Sequence, residues 1–166
     1  MKHTVTVLVE NRPGVLTHVS GLISRRGFNI ESIAASSTEL PDVTRISVVL
    51  NVVDQAEIDQ INDQFGKLIE VIKVVDMTEI DHIAREMALL KVKASEKERA
   101  DITNVVAIFR AKIIDVHPET MVIEVTGEAN KIDAFCQLME RHGIVEIIRT
   151  GEIFLSRSPE SAAHDI

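Results

Sequence analysis

The stretch TVTVLVENRPGVLTHVSGLISRRGFNIESI, residues 4–33, decides how the chain begins to fold. Its first six residues alternate, with Val5, Val7 and Val9 on one face, which is the period of a half-buried strand. Apolar residues then recur at the spacing of one helix face: Val15, Leu16, Val19, Leu22 and Ile23. The letters RRG end that pattern with basic residues and a glycine, a typical helix C-terminus. A strand, a polar turn and an amphipathic helix are therefore predicted.

The remainder of the first half predicts a hairpin, a second helix and a closing strand. NIESIAASS (29–37) and TRISVVLNV (44–52) are strand-like, and ELPD between them has the composition of a turn. Asp54 and Glu57 are three residues apart before an apolar helical stripe, the spacing of a capping box. VIKVVD (71–76) follows as a strand. The predicted order is βαββαβ.

The same order recurs in the second half, with little residue identity between the halves. MALLKV (87–92) is a predicted strand, and a helical stripe runs from Ile102 to Phe109. KIIDVH (112–117) and TMVIEV (120–125) form a second predicted hairpin around Pro118. A helix ending at Gly143, the strand IVEIIRT (144–150) and a short extension, IFLS (153–156), complete the unit.

Two successive βαββαβ units predict an α+β protein made of two ferredoxin-like domains with antiparallel sheets. We place the domains at residues 1–76 and 77–158, followed by a flexible tail at 159–166. Each sheet has edge strands and one apolar face that need cover, and such surfaces invite pairing with another chain. We therefore expect a homodimer that forms through at least the first domain.

Charge and composition exclude several functional classes. The net charge of −8 and the lack of a basic run disfavour binding to nucleic acid. Cys136 is the only cysteine, which excludes an internal disulfide, and its place on a helical apolar stripe predicts a core thiol. The N-terminal apolar run is too short for a signal peptide or a membrane span, so we expect a cytoplasmic protein.

No arrangement of side chains in the sequence indicates catalysis. The six histidines are scattered at His3, His18, His82, His117, His142 and His164, and no HExxH motif is present. We expect His18 to be a solvated helix-surface residue rather than a base. Nucleotide-binding glycine motifs and a GxSxG elbow are missing, as are Trp and Tyr. We expect no catalytic residue, no metal site and no cofactor in this chain.

The turn before the first helix has the composition of an anion-binding loop. Pro13 is preset for the first helical turn, and Gly14 has no Cβ to obstruct a ligand. The amides of Val15 and Leu16 then point outward at the positive end of the helix dipole, where a carboxylate is a natural guest. Asn11 has two expected roles, capping the helix or bonding the guest. On spacing alone an ordinary strand-to-helix turn fits equally well.

A second polar position lies downstream, in GFNIES. Asn29 offers both amide donors and an acceptor at the start of the second strand, next to apolar Ile30.

These motifs resemble a known family. VLVENRPGVLTHVSGLISRRGFNIESI is similar to the opening of ACT domains, and in particular of the small regulatory subunits of acetolactate synthase, also called acetohydroxyacid synthase. VTGEANKIDAF and GIVEIIRTGEIFLSR extend the resemblance through the second half, to about residue 160. The chain resembles the short form of this family, which has a single ACT domain.

The resemblance implies a noncatalytic subunit that activates a separate acetolactate synthase catalytic subunit and confers feedback inhibition, usually by valine. Thiamine diphosphate, Mg and FAD are expected in that partner. In this family the effector lies between the helix-one loop of one chain and the second strand of its neighbour. The residues implied here are Asn11, Gly14, Val15, Leu16, Asn29 and Ile30. The second domain is implied to contact the catalytic subunit.

Two other interpretations belong to different functional classes. One is a free-standing amino-acid sensor with an ACT-like domain and no enzyme partner. The other is a small enzyme whose site forms at a dimer interface, which the lack of an acid, base or metal arrangement disfavours. The preference among valine, leucine and isoleucine, the isoenzyme and the stoichiometry are all left open by the sequence.

Overall fold

Six elements follow one another in the first part of the chain, in the order that the sequence predicts. The computed structural model, which describes residues 1–162, gives β1 (Lys2–Glu10), α1 (Val15–Arg25), β2 (Asn29–Ser37), β3 (Val43–Asn51), α2 (Gln55–Phe65) and β4 (Val71–Asp76). The strands form one antiparallel sheet in the order β2-β3-β1-β4. This is the arrangement of a ferredoxin-like fold, so the predicted fold of the first half is confirmed.

A local sequence signal sets the start of α2. The Glu57 N–H donates to Asp54 Oδ1 at 3.0 Å, and the Val53 N–H donates to Glu57 Oε2 at 2.7 Å. These two bonds satisfy donors that the start of the helix would otherwise leave unpaired. The predicted capping box is present, with its return bond made to Val53.

Both helices of the first unit cover the same face of the sheet. Val5 and Val7 on β1 pair in register with Val48 and Ile46 on β3, and all four are at most 1% exposed. They belong to one cluster with the buried faces of α1 and α2. Full burial of such a side chain stabilises the fold by roughly 1.5–3 kcal/mol.

The opposite face of this sheet is also buried at its centre. Leu8 is 0% exposed and packs with Val43, Leu40 and Ala162. The sequence predicts a half-buried β1, and that prediction is wrong. The chain returns after the second unit and covers the face that a lone βαββαβ unit leaves open.

The second unit repeats the topology. Its elements are β5 (His82–Lys93), α3 (Arg99–Ile108), β6 (Lys112–Val116), β7 (Thr120–Gly127), α4 (Ala129–Glu140) and β8 (Ile144–Arg149). The antiparallel strand order β6-β7-β5-β8 matches that of the first sheet, so the second predicted ferredoxin-like domain is confirmed. The predicted extension is present as β9 (Ile153–Ser156).

The compact units differ in their bounds from the predicted domains. The first consists of residues 1–83 together with the described residues from Glu152 onward, and the second is Ala84–Gly151. The predicted boundary at residue 76 falls inside the first unit, and residues 152–158 belong to the first unit rather than to the second. Sequence periodicity identifies strands but not the sheet face on which a returning segment packs.

The segment predicted as a flexible tail, residues 159–166, contacts the first unit in its described part. Ala162 packs near Leu8, and Ser161 Oγ donates to Glu39 Oε1 at 2.5 Å. Residues 163–166, which include His164, lie outside the described residues. Among residues 1–162, no helix is both long and apolar enough to cross a membrane.

Candidate functional site

The turn between β1 and α1 takes a conformation that glycine favours. Gly14 has φ +88° and ψ −13°, and it occupies the N-cap position of α1. Side chains with a Cβ rarely adopt that φ, whereas glycine does so without steric cost. An ideal Cβ built on Gly14 meets no atom within 4 Å, so the space in front of the helix is open.

The start of α1 presents backbone donors to that open space. Among residues 1–162 no side chain caps the helix, and its first turn contains no acidic residue. The Val15 N–H makes only a long bond of 3.4 Å to Arg12 O, and the Leu16 and Thr17 N–H groups have no acceptor among residues 1–162. Unpaired donors combined with the positive end of the helix dipole favour a bound anion.

Asn11 is fixed by the turn that joins β2 and β3. Its backbone N–H donates to Asp42 O at 2.8 Å, and its Nδ2 donates to Pro41 O at 3.4 Å. It therefore does not cap α1, which removes one of its two predicted roles. Within the described chain its Oδ1 accepts no hydrogen bond, so that atom is available to a ligand donor.

Charged side chains surround the turn in pairs. His18 Nδ1 lies 2.8 Å from Glu70 Oε1, and Arg12 Nη1 lies 3.2 Å from Glu10 Oε2. The pKa of Glu70 is lowered by a hydrogen bond from its own backbone amide and then by the bond with His18. The His18 side chain is 57% exposed, as predicted, but it is paired with a carboxylate rather than simply solvated.

The two halves of the predicted site lie at opposite ends of the first sheet within one chain. Asn29 pairs with Asn51, which pairs with Lys2 at the beginning of β1. Near the Gly14 turn, by contrast, Val9 pairs with Thr44, and Thr44 pairs with Ser37 at the end of β2. The length of α1, about 16 Å at 1.5 Å per residue, also separates them. One chain does not bring Asn29 to Gly14.

A twofold arrangement of two chains would remove this separation. β2 is an edge strand, and its residues are half-buried or exposed along its length. If β2 pairs antiparallel with the β2 of a second chain, Asn29 of each chain approaches the end of the other sheet that carries the Gly14 turn. Ile30 is half-buried, and Leu16 is 47% exposed beside the open helix start. Val15 is buried in the core, so it offers only its backbone.

One polar cluster in the first unit was missed by the sequence reasoning. His3 is 0% exposed; its Nδ1 lies 2.9 Å from Thr78 Oγ1, and its Nε2 lies 3.3 Å from Asn62 Oδ1. Asp76 Oδ1 is 3.6 Å from His3 Nδ1. His3 continues the two-residue period of Val5 and Val7, and that spacing was a signal of its burial. The cluster ties the start of β1 to α2 and to the end of β4.

Residues 1–162 contain no group of three or more metal-binding side chains close together. Cys136 is half-buried against the core of the second unit, and burial raises the pKa of its thiol. Cys136 therefore lies at the edge of this core rather than inside it, as the predicted core thiol would.

Both halves of the chain match models of known domain families. Residues 5–73 match the ACT domain described as acetohydroxyacid synthase small subunit-like. Residues 85–158 match the family described as the small subunit of acetolactate synthase.

Curated relatives and a solved structure agree with these matches. The acetolactate synthase small subunit of Mycolicibacterium smegmatis is 46% identical over 157 residues, which cover 95% of this chain and 92% of that protein. The small subunit of Bacillus subtilis is 40% identical and covers 98% of this chain and 95% of its own length.

The crystal structure of the acetolactate synthase small subunit from Thermotoga maritima superposes with a TM-score of 0.87 at 40% identity. The match covers 96% of this chain and 99% of that chain. Sequence, domain order and fold therefore lead to one conclusion. This chain belongs to the family of acetolactate synthase small subunits.

Proposed function

We propose that this chain is the noncatalytic regulatory subunit of an acetolactate synthase, and that it activates a catalytic large subunit and confers feedback inhibition by valine or a related branched-chain amino acid. The reaction takes place in the partner, which holds thiamine diphosphate, Mg and FAD. The regulated pathway is branched-chain amino-acid biosynthesis in the cytoplasm.

The observation that carries this proposal is the open start of α1. Gly14 leaves space in front of the helix, and the amides of Leu16 and Thr17 have no acceptor within the described residues. A carboxylate placed there accepts from two backbone donors at the positive end of a helix dipole. The start of α1 therefore provides the carboxylate-binding half of a site for a zwitterionic amino acid.

The other half comes from a second chain. Asn29 of the neighbour provides an amide oxygen for the ligand ammonium group, and Asn11 Oδ1 provides another. Leu16 and the neighbour's Ile30 cover a short aliphatic side chain. Such an apolar pocket discriminates one methylene by only about 1–3 kcal/mol, so related branched-chain amino acids compete with valine.

A homodimer follows from this site, because neither chain alone contains both halves. The exposed edge of β2 offers unpaired backbone groups to an equivalent strand. An isologous contact of this kind produces two equivalent effector sites per dimer.

The second unit supplies a surface for the catalytic subunit. The side of its sheet opposite α3 and α4 exposes Met87, Leu89 and Ile148, which are 37%, 38% and 59% exposed. Leu89 and Ile148 are direct cross-strand neighbours. A contiguous exposed apolar patch is typical of a protein interface. Regulation then requires that effector binding and activation favour different states, by typically about 1–3 kcal/mol.

The deciding experiment combines calorimetry with enzyme assays. Valine, leucine and isoleucine are titrated into the purified chain, and the chain is then added to a purified catalytic subunit with pyruvate as substrate. We expect saturable binding of valine, no turnover by the chain alone, a rise in the partner's activity and loss of that rise with valine. Valine binding without any effect on a catalytic subunit would instead indicate a free-standing sensor.

A further inference from the structure

A cavity lies on the face of the first sheet that α1 and α2 do not cover. Its volume is about 470 Å³, and all its lining residues belong to the first unit. The floor is the sheet, and the roof is formed by β9 and the residues that follow it up to Ala162. Ligand sites in proteins commonly have volumes of about 300–1,000 Å³, so this space is large enough for a small molecule.

The cavity is separate from the proposed effector site. Gly14, Leu16 and Asn29 do not line it. Binding in this cavity and binding at the effector site can therefore be tested independently of each other.

Two polar atoms on the floor are buried and unsatisfied. Thr6 is 2% exposed, and its Oγ1 has no hydrogen-bond partner among residues 1–162. Arg45 Nε is also buried without an acceptor in the described part of the chain. A buried polar group left unpaired lowers the stability of the fold by about 1–3 kcal/mol. Two such groups beside one cavity therefore favour binding of a ligand that forms hydrogen bonds with them.

The chemistry of these atoms indicates what that partner presents. The Arg45 Nε–H group can only donate, and the Thr6 hydroxyl is able to donate as well. A ligand that satisfies both must therefore offer acceptor oxygens. A carboxylate offers two oxygens in one plane, the geometry that a guanidinium matches best.

The charges of the floor agree with an anionic ligand. Arg45 on β3 and Lys73 on β4 are both in register with Leu8 on β1, so one cross-strand row carries two cations on either side of a buried leucine. Two acidic residues also line the cavity, Glu39 and Glu160. The pKa of Glu39 is lowered, first by the hydrogen bond from Ser161, which belongs to the roof. Glu160 belongs to the roof and the two cations to the floor, and the charge of Arg45 also contributes to the lowered pKa of Glu39.

The rest of the lining is largely apolar. Val75, Met77, Phe154 and Leu155 contribute side chains from β4, the residue after it and β9. Met77 and Phe154 are 2% and 5% exposed. A ligand with only a charged head would leave this part of the cavity unfilled.

We propose that this cavity binds a small organic carboxylate, whose charged head faces Thr6 and Arg45 and whose apolar body lies against Val75, Met77 and Phe154. The ligand bridges the sheet and β9, so its binding holds β9 on the first sheet.

The first test uses hexanoate as the probe on the full-length chain. Hexanoate carries a carboxylate and an apolar body, and hexanamide is its neutral counterpart. We expect saturable calorimetric binding of hexanoate, at least tenfold tighter than that of hexanamide because the floor is cationic and donor-rich. Methyl signals of Val75 and Met77 should shift on titration. No binding of hexanoate, equal binding of both probes, or shifts confined to other residues would each overturn the proposal.

The second test removes the two unsatisfied donors in turn. Arg45→Gln should weaken hexanoate binding about tenfold, since a charge-assisted bond is lost. Thr6→Val should weaken it about fivefold, whereas Thr6→Ser, which keeps the hydroxyl, should stay within about twofold of the parent chain. Lys67→Gln is the matched control, because it removes one positive charge from an exposed position of the same unit outside the cavity.

A readout without ligand guards against misfolded variants. Because Thr6→Val replaces an unsatisfied buried hydroxyl by a methyl group of similar size, it should melt at or above the temperature of the parent chain when no hexanoate is present. Hexanoate should then raise its melting temperature less than that of the parent. Equal stabilisation of both chains would overturn the assignment of Thr6. Valine titration should be unaffected by Thr6→Val, which separates this inference from the proposed effector site.

Discussion

Gly14 combines a positive φ with open space at the start of α1. Its φ of +88° is one that side chains with a Cβ rarely adopt, and the space that a Cβ would enter is empty. The amides that follow it point at the same space without acceptors among the described residues. At the scale of single residues, the proposed regulation therefore depends on what occupies the region in front of this glycine.

We expect Gly14→Asp to abolish feedback inhibition while activation of the catalytic subunit survives. The added carboxylate lies where the ligand carboxylate binds, and like charges placed together cost several kcal/mol. Calorimetry should show valine binding weakened by at least about tenfold. Gly14→Asn is the matched control, since it adds the same shape without the charge and should weaken binding less. Valine inhibition that persists in the Asp variant would argue against the assigned carboxylate position.

Substitution of Asn29 is expected to weaken valine binding less than substitution of Gly14. Its side chain is proposed to accept one hydrogen bond from the ligand ammonium group, and such a bond contributes about 1 kcal/mol, or roughly fivefold in affinity. Asn29→Ala should weaken valine binding by about that factor without changing the thermal unfolding of the chain. Asn104→Ala, an equivalent truncation at an exposed position of α3, should leave binding unchanged. Parent-like affinity of the Asn29 variant would remove this residue from the site.

At the scale of elements, a buried ion pair joins β8 to β5. In the second unit, Arg149 at the end of β8 donates from Nε and Nη2 to the two oxygens of Glu86 on β5, at 2.8 and 2.7 Å. Glu86 is 6% exposed, and Nη1 of Arg149 also donates to Asp133 on α4 at 2.6 Å. These bonds raise the pKa of Arg149, with the Glu86 bond as the largest cause.

We expect Arg149→Met to destabilise the second unit by about 3 kcal/mol, because it leaves the Glu86 carboxylate buried without its partner. Hydrogen exchange of the β5 amides measures this directly. Arg141→Met is the control, since the Arg141–Asp101 pair is about half exposed on both sides and should contribute no more than about 1 kcal/mol. The double variant Arg149→Met with Glu86→Gln should recover part of the loss. Equal effects of the two single variants would contradict a buried-pair role for Glu86.

At the scale of the whole molecule, the proposed effector site belongs to a dimer. The sheet register places Asn29 and the Gly14 turn at opposite ends of one chain. In the proposed dimer, each site takes its loop from one chain and its strand from the other. When a chain altered in the Gly14 loop pairs with a chain altered in β2, one site of the dimer contains both substitutions and the other contains neither.

Mixing the Gly14→Asp and Asn29→Ala chains tests this arrangement. In a mixed dimer, one site carries both lesions and the other carries none. Random pairing makes about half of the dimers mixed, so about a quarter of all sites should regain parent-like affinity. Calorimetry after joint refolding measures that fraction. If both halves of the site lay within one chain, mixing would restore nothing.

Much of the architecture follows from short-range sequence signals. The two-residue period of Val5 and Val7, the stripe of α1 and the Asp54 cap predict elements that the structure confirms. Such signals act within one turn or one pleat of the backbone, and they are therefore visible in a few consecutive residues. The open loop at Gly14 was one of two interpretations of its sequence, because on spacing alone an ordinary strand-to-helix turn fits equally well.

The sequence by itself determined two βαββαβ units, the helix start that faces solvent and the family to which they belong. Only the tertiary structure decided that the chain after β9 covers Leu8, that Asn11 is held by the turn at Pro41, and that Asn29 lies far from Gly14 in its own chain. These features depend on contacts between residues that are distant in the sequence. Local periodicity specifies which side of an element is apolar, whereas the partner that covers that side is chosen by packing of the whole chain.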